Sequence, residues 1–254
     1  MLYRGNCLDI MPTIPDKSID LILCDLPYGT TACAWDAVIP FEPLWSNYKR
    51  LIKENGAIVL FGNQPFTTML IASNIEWFKY EMIWKKNKPT GFFIGNIQPL
   101  RSHENILVFY QKQPTYNPQM IKRTPHEFKE CARINDSAGR LGEQFGKGKI
   151  NPIKRKPIEE QWYKLPDSII DCKKVDKRDG SQHPTQKPQE LMERIILTYT
   201  NVGETVLDNT MGSGTTGEAC VKTKREFIGI EMNDKYFDEA EQRINNAKLQ
   251  TSLF

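Results

Sequence analysis

The stretch from Glu204 to Glu231 constrains the fold more than any other part of the chain: it reads as strand, glycine turn, helix, strand. Glu204–Asp208 is a short apolar run that ends on an acid, and Glu226–Glu231 is a second one. Thr215–Arg225 between them has helical character, and Thr215 with Glu218 has the T-x-x-E spacing of a capping box. Two strands joined through a helix run parallel in one sheet. This part of the chain therefore belongs to an α/β layer.

The turn is Asp208-Asn209-Thr210-Met211-Gly212-Ser213-Gly214-Thr215-Thr216-Gly217. Gly212, Gly214 and Gly217 fit G-x-G-x-x-G, in which glycines let a backbone turn sharply and approach a ligand closely. Three readings compete: a structural turn, a dinucleotide site, and a site for an adenosine cofactor whose amino-acid tail crosses the glycines. The register disfavours the dinucleotide. Its first glycine should follow the strand directly and its acid should lie about 20 residues beyond the loop. Here three residues separate Asp208 from Gly212, and Glu231 follows Gly217 by fourteen. At the end of the next strand, Glu231 can accept two ribose hydroxyls on its two oxygens.

The same rhythm runs through the first third. Ile19–Cys24, Gly56–Gly62, Lys79–Trp84 and Asn105–Tyr110 predict strands. Phe41–Lys53 predicts a helix with Leu44, Trp45, Tyr48, Leu51 and Ile52 on one face. Gln189–Thr200 predicts another, striped by Leu191, Ile195, Ile196 and Tyr199, and a last helix starts at a capping Asp234 and runs to about Ala247. Residues 112–180 break the pattern with six prolines, five glycines and poor apolar periodicity. The organisation expected is a first half at 1–111, an insertion at 112–180 and a second half at 181–254.

The net charge of +3 hides an asymmetry. Residues 112–180 hold sixteen Lys/Arg against ten Asp/Glu, a net +6, so the rest of the chain carries −3. A basic insertion is either a solvated loop or a surface for a polyanion. The six cysteines form no C-x-x-C pair and the three histidines have no ligand spacing, so neither a zinc site nor a disulfide framework is expected. No run approaches the ~20 apolar residues of a membrane span. The N-terminus lacks a signal peptide's apolar core, and a cytoplasmic location is expected.

Asp25-Leu26-Pro27-Tyr28 directly follows a buried-strand pattern, at the carboxyl end where open α/β sheets bind ligands. As a four-residue string it is an ordinary polar turn. Together with Gly212-Ser213-Gly214-Thr215, Glu231 and His183-Pro184-Thr185-Gln186-Lys187-Pro188, it resembles the motif set of the β-class DNA N6-adenine/N4-cytosine methyltransferases, phage-borne members included. The order is also theirs: catalytic motif, variable region, cofactor loop. Two positions depart. Leu26 replaces the first proline of Asp-Pro-Pro-Tyr, and Asn6 stands where the family often has aspartate after glycine. Leu26 keeps the backbone carbonyl used there, and Pro27 keeps Leu26 extended.

The resemblance implies a Rossmann-like methyltransferase fold: a mixed, mostly parallel seven-stranded sheet in circularly permuted order, carrying an inserted target-recognition region. It implies S-adenosylmethionine as cofactor, held by Asn6, Thr185, Lys187, Asp208, Gly212, Ser213, Gly214, Thr215 and Glu231, and no metal. It implies a catalytic Asp25-Leu26-Pro27-Tyr28 in which Asp25 and the Leu26 carbonyl accept the two hydrogens of a base amino group. Tyr28 would stack on that base, extruded from double-stranded DNA. Phe92 and Phe93, or Trp35, are candidates to cover its other face, with a place in the core as the commoner role for each. Lys154, Arg155 and Lys156 would contact phosphates. Asp at position 25 favours N6 of adenine over N4 of cytosine, since many cytosine enzymes have serine there. A homodimer and a cognate restriction nuclease are further expectations, in a bacterial or phage-infected cell. Methylation of protein or RNA is disfavoured by Asp25, by the motif order and by the basic insertion. The intact Asp25, Tyr28 and glycine loop also disfavour a non-catalytic DNA-binding module.

Overall fold

The computed structural model describes residues 1–29, 36–129, 162–173 and 186–251. Its elements are β1 (Leu2–Arg4), α1 (Cys7–Ile10), β2 (Ile19–Cys24), α2 (Phe41–Leu51), β3 (Ile52–Gly62), α3 (Phe66–Ser73), β4 (Phe78–Thr90), β5 (Arg101–Phe109), β6 (Ile121–Lys122), β7 (Tyr163–Lys164), β8 (Ile169–Asp171), α4 (Gln189–Tyr199), β9 (Thr205–Asp208), α5 (Thr215–Thr223), β10 (Glu226–Glu231) and α6 (Asp234–Thr251). Short 3₁₀ turns lie at Met11–Thr13 and Phe92–Ile94. The chain divides into a large unit, Met1–Asn117 with Ser168–Phe254, and a small one, Pro118–Asp167.

The large unit is built on one sheet of order β1-β10-β9-β2-β3-β5-β4-β8. Among the described strands, only β5 runs against its neighbours, β3 and β4. The sheet has eight strands rather than the expected seven. The extra one, β8, comes from within residues 112–180 and pairs in parallel with β4, Ile83 opposite Ile169. Its three residues lack enough periodicity to be read as a strand.

β2 sits at the middle of the sheet and is buried along its whole length. Leu21 and Leu23 pack with α4, α5 and α6 on one face, while Ile22 and Cys24 pack with α1, α2 and α3 on the other. That alternation is the two-residue period of a strand covered on both sides. Each such Leu or Ile contributes roughly 1.5–3 kcal/mol by leaving water. Asp20 is the one polar residue in the run. It is satisfied by Lys53 Nζ at 2.8 Å and by the Thr205 backbone N–H at 2.9 Å.

The glycine turn behaves differently from the capping-box expectation. Gly214, not a side chain, caps α5, with φ of +79°. A Cβ there would meet Ala240 at 2.8 Å, and one at Gly217 would lie 2.3 Å from Ile244. The glycines thus let α5 press against α6. Thr215 is the first residue of α5, and its hydroxyl accepts from Arg243 Nη1 at 3.0 Å. Glu218 pairs with Arg243 and Lys222 instead of reaching back to the turn. Similarly, Asp234 opens α6 without capping it; Asn233 Oδ1 accepts the Tyr236 N–H.

The small unit, where described, is a two-stranded pair of β6 and β7. Phe128 stacks on Trp162 with ring centroids 4.1 Å apart, and Lys164 pairs with Glu127 and Asp167. Residues 112–117 and 168–173 of the expected insertion belong to the large unit.

Candidate active site

Order along the sheet brings the two halves of the chain together. β2 and β9 are parallel neighbours, Ile22 opposite Leu207, so Asp25 and Asn209 emerge side by side although 184 positions separate them. Thr210 Oγ1 donates to the Asp25 carbonyl at 3.2 Å, and the Cys24 thiol donates to Asn209 Oδ1 at 2.9 Å. A cavity of about 550 Å³ opens over these strand ends. Its wall takes Asp25–Tyr28 from the β2 end, Asp208–Ser213 with Thr215 from the glycine turn, Glu231 from the β10 end, and Asn6 from the turn after β1. Ligands of open α/β sheets bind at such a seam.

Glu231 is fixed rather than dangling. Its Oε2 accepts the Gly212 N–H at 2.9 Å and its Oε1 the Asn233 N–H at 2.8 Å. Each oxygen keeps a further lone pair. Asp208 is buried, with Thr216 Oγ1 on Oδ2 at 2.5 Å and the Thr210 N–H on Oδ1 at 3.1 Å. Burial pushes its carboxyl up to about 7 despite those hydrogen bonds, and the charges of Asp25 and Glu231 add to the rise. Asn6 uses its side-chain oxygen to cap α1, accepting from the Leu8 N–H at 3.0 Å.

Asp25 is held at both oxygens. Oδ1 accepts from Tyr28 OH at 2.6 Å and Oδ2 from Lys187 Nζ at 2.5 Å. The Tyr28 and Gly29 backbone N–H groups both donate to Asp36 Oδ1, at 2.8 and 2.9 Å, which clamps the turn. The ring of Tyr28 lies against Phe66, centroids 5.0 Å apart. Lys187, expected to contact the cofactor, lines the same cavity, and its ammonium lies between Asp25 and Glu104, 3.0 Å from Glu104 Oε2. That second approach is an ion pair rather than an aligned hydrogen bond. Glu104 Oε1 in turn takes Lys86 Nζ. Four buried or half-buried charges therefore alternate: Lys86, Glu104, Lys187, Asp25.

Burial alone would raise the Glu104 carboxyl, but Lys187 and Lys86 overcome it and hold it down to about 2. Burial works against the Lys187 ammonium too, and Asp25 and Glu104 outweigh it, so its pKa is raised. Sequence reasoning missed Glu104 and Lys86. Both sit in strands and line the cavity, but β4 also carries Lys79, Glu81, Lys85 and Lys88, so nothing in its pattern sets Lys86 apart.

The N6/N4 DNA methylase family model matches residues 19–242, from the start of β2 into α6. The chain belongs to the N6/N4 DNA methylase family. The methylase is 29% identical to the Type II methyltransferase M1.MboII of Moraxella bovis across 98% of its own length and 97% of that protein's. It is 27% identical to the Type II methyltransferase M.HinfI of Haemophilus influenzae, over 97% of its own chain and 68% of the relative. Its fold superposes on the M1.HpyAVI–SAM complex with a TM-score of 0.62 at 25% identity, covering 96% of one chain and 98% of the other. The PvuII DNA methyltransferase, cytosine-N4-specific, shares the fold at TM-score 0.65 and 14% identity, over 98% and 91% of the two chains. The architecture is thus the Rossmann-like one of DNA methyltransferases. Methylases of this family take their methyl group from S-adenosylmethionine.

The methylase has no cluster of metal-binding side chains among the described residues, and no described helix is long and apolar enough to cross a membrane. Phe92 and Phe93 are exposed on the loop joining β4 to β5. Trp84 is buried and donates its indole N–H to the Cys172 carbonyl at 2.9 Å. Trp35, Lys154, Arg155, Lys156, His183, Pro184 and Thr185 lie outside the described residues.

A cationic donor entering the cavity should favour the ionised form of Asp208. Below pH about 7 its binding should therefore expel a proton from Asp208. Calorimetry at pH 6.5 in buffers of differing ionisation enthalpy is expected to show net proton release and an affinity that rises toward pH 8. Asp208→Asn should remove both effects; a wild-type signal independent of buffer would exclude Asp208 as the coupled group.

Proposed function

We propose that this methylase transfers a methyl group from S-adenosylmethionine to N6 of adenine in double-stranded DNA, the target base being extruded into the cavity. The observation that carries the reading is the convergence of Asp25, Glu231 and the glycine turn on one cavity. Its volume suits a nucleoside-sized ligand.

The cofactor fits the residues present. Glu231, pinned by two backbone N–H groups, would take the ribose hydroxyls on its remaining lone pairs. Gly212, Ser213 and Thr215 would lie along the amino-acid tail, with Asp208 beneath it and Asn6 near the adenine. Bound there, S-adenosylmethionine supplies an electrophilic methyl group on sulfur. The amino nitrogen of the base is a poor nucleophile because its lone pair is delocalised into the ring. Asp25 and the Leu26 carbonyl would accept its two N–H hydrogens, localise the lone pair and stabilise the developing positive charge. A carboxylate has about four lone-pair sites. Asp25 can therefore receive the amino hydrogen, and the proton given up, while Tyr28 OH and Lys187 hold it. Pro27 keeps the Leu26 carbonyl in an extended backbone.

The choice of adenine rests on Asp25 standing where a hydroxyl residue marks many cytosine enzymes of the β-class, the class whose motif order this chain resembles. Nucleoside mass spectrometry on DNA treated with the purified protein tests it. N4-methylcytosine without N6-methyladenine would overturn the base assignment. The same reading includes phosphate contacts from Lys154, Arg155 and Lys156, a homodimer testable by light scattering, and a cognate restriction nuclease against which the DNA of expressing cells should be protected.

Glu231→Ala should weaken cofactor binding by about 1.5–3 kcal/mol, the scale of hydrogen bonds to a charged group. It also frees the Gly212 and Asn233 amides, so a thermal melt should accompany the calorimetry. Unchanged affinity would refute the ribose role.

A further inference from the structure

The connection between β4 and β5 carries four large apolar side chains in six residues, all turned outward. Phe93 is fully exposed, Ile97 is 85% exposed, Phe92 69% and Ile94 42%. Such a cluster on a soluble surface marks a contact with something else. It is also a built feature. Gly91, at φ +91°, starts a 3₁₀ turn closed by Ile94 N–H to the Gly91 carbonyl at 3.1 Å and Gly95 N–H to the Phe92 carbonyl at 3.2 Å. Ile97 N–H closes the next turn on the Ile94 carbonyl at 2.9 Å. These turns order the tip's backbone, so the side chains are presented and not merely left over.

The stems of this loop border the cavity: Thr90 before it and Arg101 after it both line the wall, beside Glu104. From Met82 to His103 the chain has Lys85, Lys86, Lys88 and Arg101 and no acid, a net +4. Of these, Lys86 is buried on Glu104 and Lys85 pairs with Asp171 at 3.1 Å, while Arg101 is exposed at the cavity wall. An apolar tip on a basic stem fits DNA better than it fits an apolar protein groove: phosphates flank the stem and stacked bases receive the tip.

We infer that the Phe92–Ile97 tip is a wedge that enters the duplex beside the target base and fills the space that base leaves when it swings into the cavity. The inference rests on the reading that the enzyme acts on an extruded base. Unstacking a base step is costly, and apolar side chains inserted between bases offset that cost.

A wedge differs from a stacking wall in one respect: it matters only when there is a base pair to open. The test uses a duplex carrying the sequence found methylated in DNA of expressing cells, and the same duplex with an abasic site opposite the target base. On the paired duplex, Phe93→Ala and the double variant Phe92→Ala/Phe93→Ala are expected to lower the single-turnover methylation rate roughly tenfold or more. On the abasic-opposed duplex they should return to within about threefold of wild type, because the opening cost is already removed. Phe93→Leu, which keeps apolar bulk, should retain most activity on both. Phe93 touches little of the core, so melting temperatures should not move. Equal loss on both duplexes would overturn the wedge in favour of a wall against the base within the cavity. Unchanged rates would also overturn it, and a loss of dimer mass in light scattering would identify the tip as a subunit contact. A wild-type chain that methylates neither duplex would bring down the underlying reading instead.

Discussion

Replacing Asp25 with asparagine is expected to slow methyl transfer by roughly 10²–10³-fold, the scale seen when one preorganised group aimed at transition-state charge is removed. The substitution keeps the size of the side chain but removes its charge, and it places an amide NH₂ where an acceptor stood. Oδ1 and Oδ2 receive Tyr28 OH and Lys187 Nζ. One of those donors would then face another donor. Asparagine is a cleaner probe than alanine here, because alanine would leave the Lys187 ammonium with Glu104 as its remaining carboxylate. Cofactor affinity should change little, since Asp25 is assigned to the base and Glu231 to the cofactor. Single-turnover methylation with calorimetry of cofactor binding separates the two effects. An Asp25→Asn enzyme turning over at a near wild-type rate would remove Asp25 from the chemistry.

The parts of this site legible in the sequence are those set by backbone geometry. The Asp25–Tyr28 string follows a strand whose six consecutive buried residues could be read directly, and the glycines announced a tight turn before a helix. Side-chain partnership was not legible. T-x-x-E spacing suggested a capping box, but Arg243, on a helix whose pairing partner no local pattern reveals, takes both Thr215 and Glu218. Asp234 looked like a cap, yet Asn233 one residue earlier does the capping. The resemblance of the His183–Pro188 string implied a cofactor contact for Lys187. Its pairing with Asp25 depends on α4 packing over β2, a tertiary fact. Glu104 and Lys86 were not legible because charges in strands ordinarily point to solvent, as Lys85 does, and here β4 and β5 turn these two inward.

Those two residues carry the second large effect. Glu104→Ala is expected to destabilise the fold by about 3–5 kcal/mol, the usual cost of breaking a buried pair by removing one partner. Lys86 and Lys187 are both buried and both lean on this one carboxylate. Held down to about 2 against a usual 4.5, the Glu104 carboxyl binds its proton later in the folded chain than in the unfolded one. Its contribution, of order 3 kcal/mol, is therefore complete above pH 4.5 and is lost as pH falls toward 2. Urea denaturation of wild type and Glu104→Gln should show the largest gap near pH 7 and a shrinking one at pH 4 and pH 3. Adding Lys86→Met to Glu104→Gln should recover part of the loss, because the cost lies in an ammonium left without its carboxylate rather than in the missing glutamate alone. A gap that stays constant with pH, or a double variant no more stable than Glu104→Gln, would mean that Glu104 acts through packing and that the alternating charges do not hold one another in place.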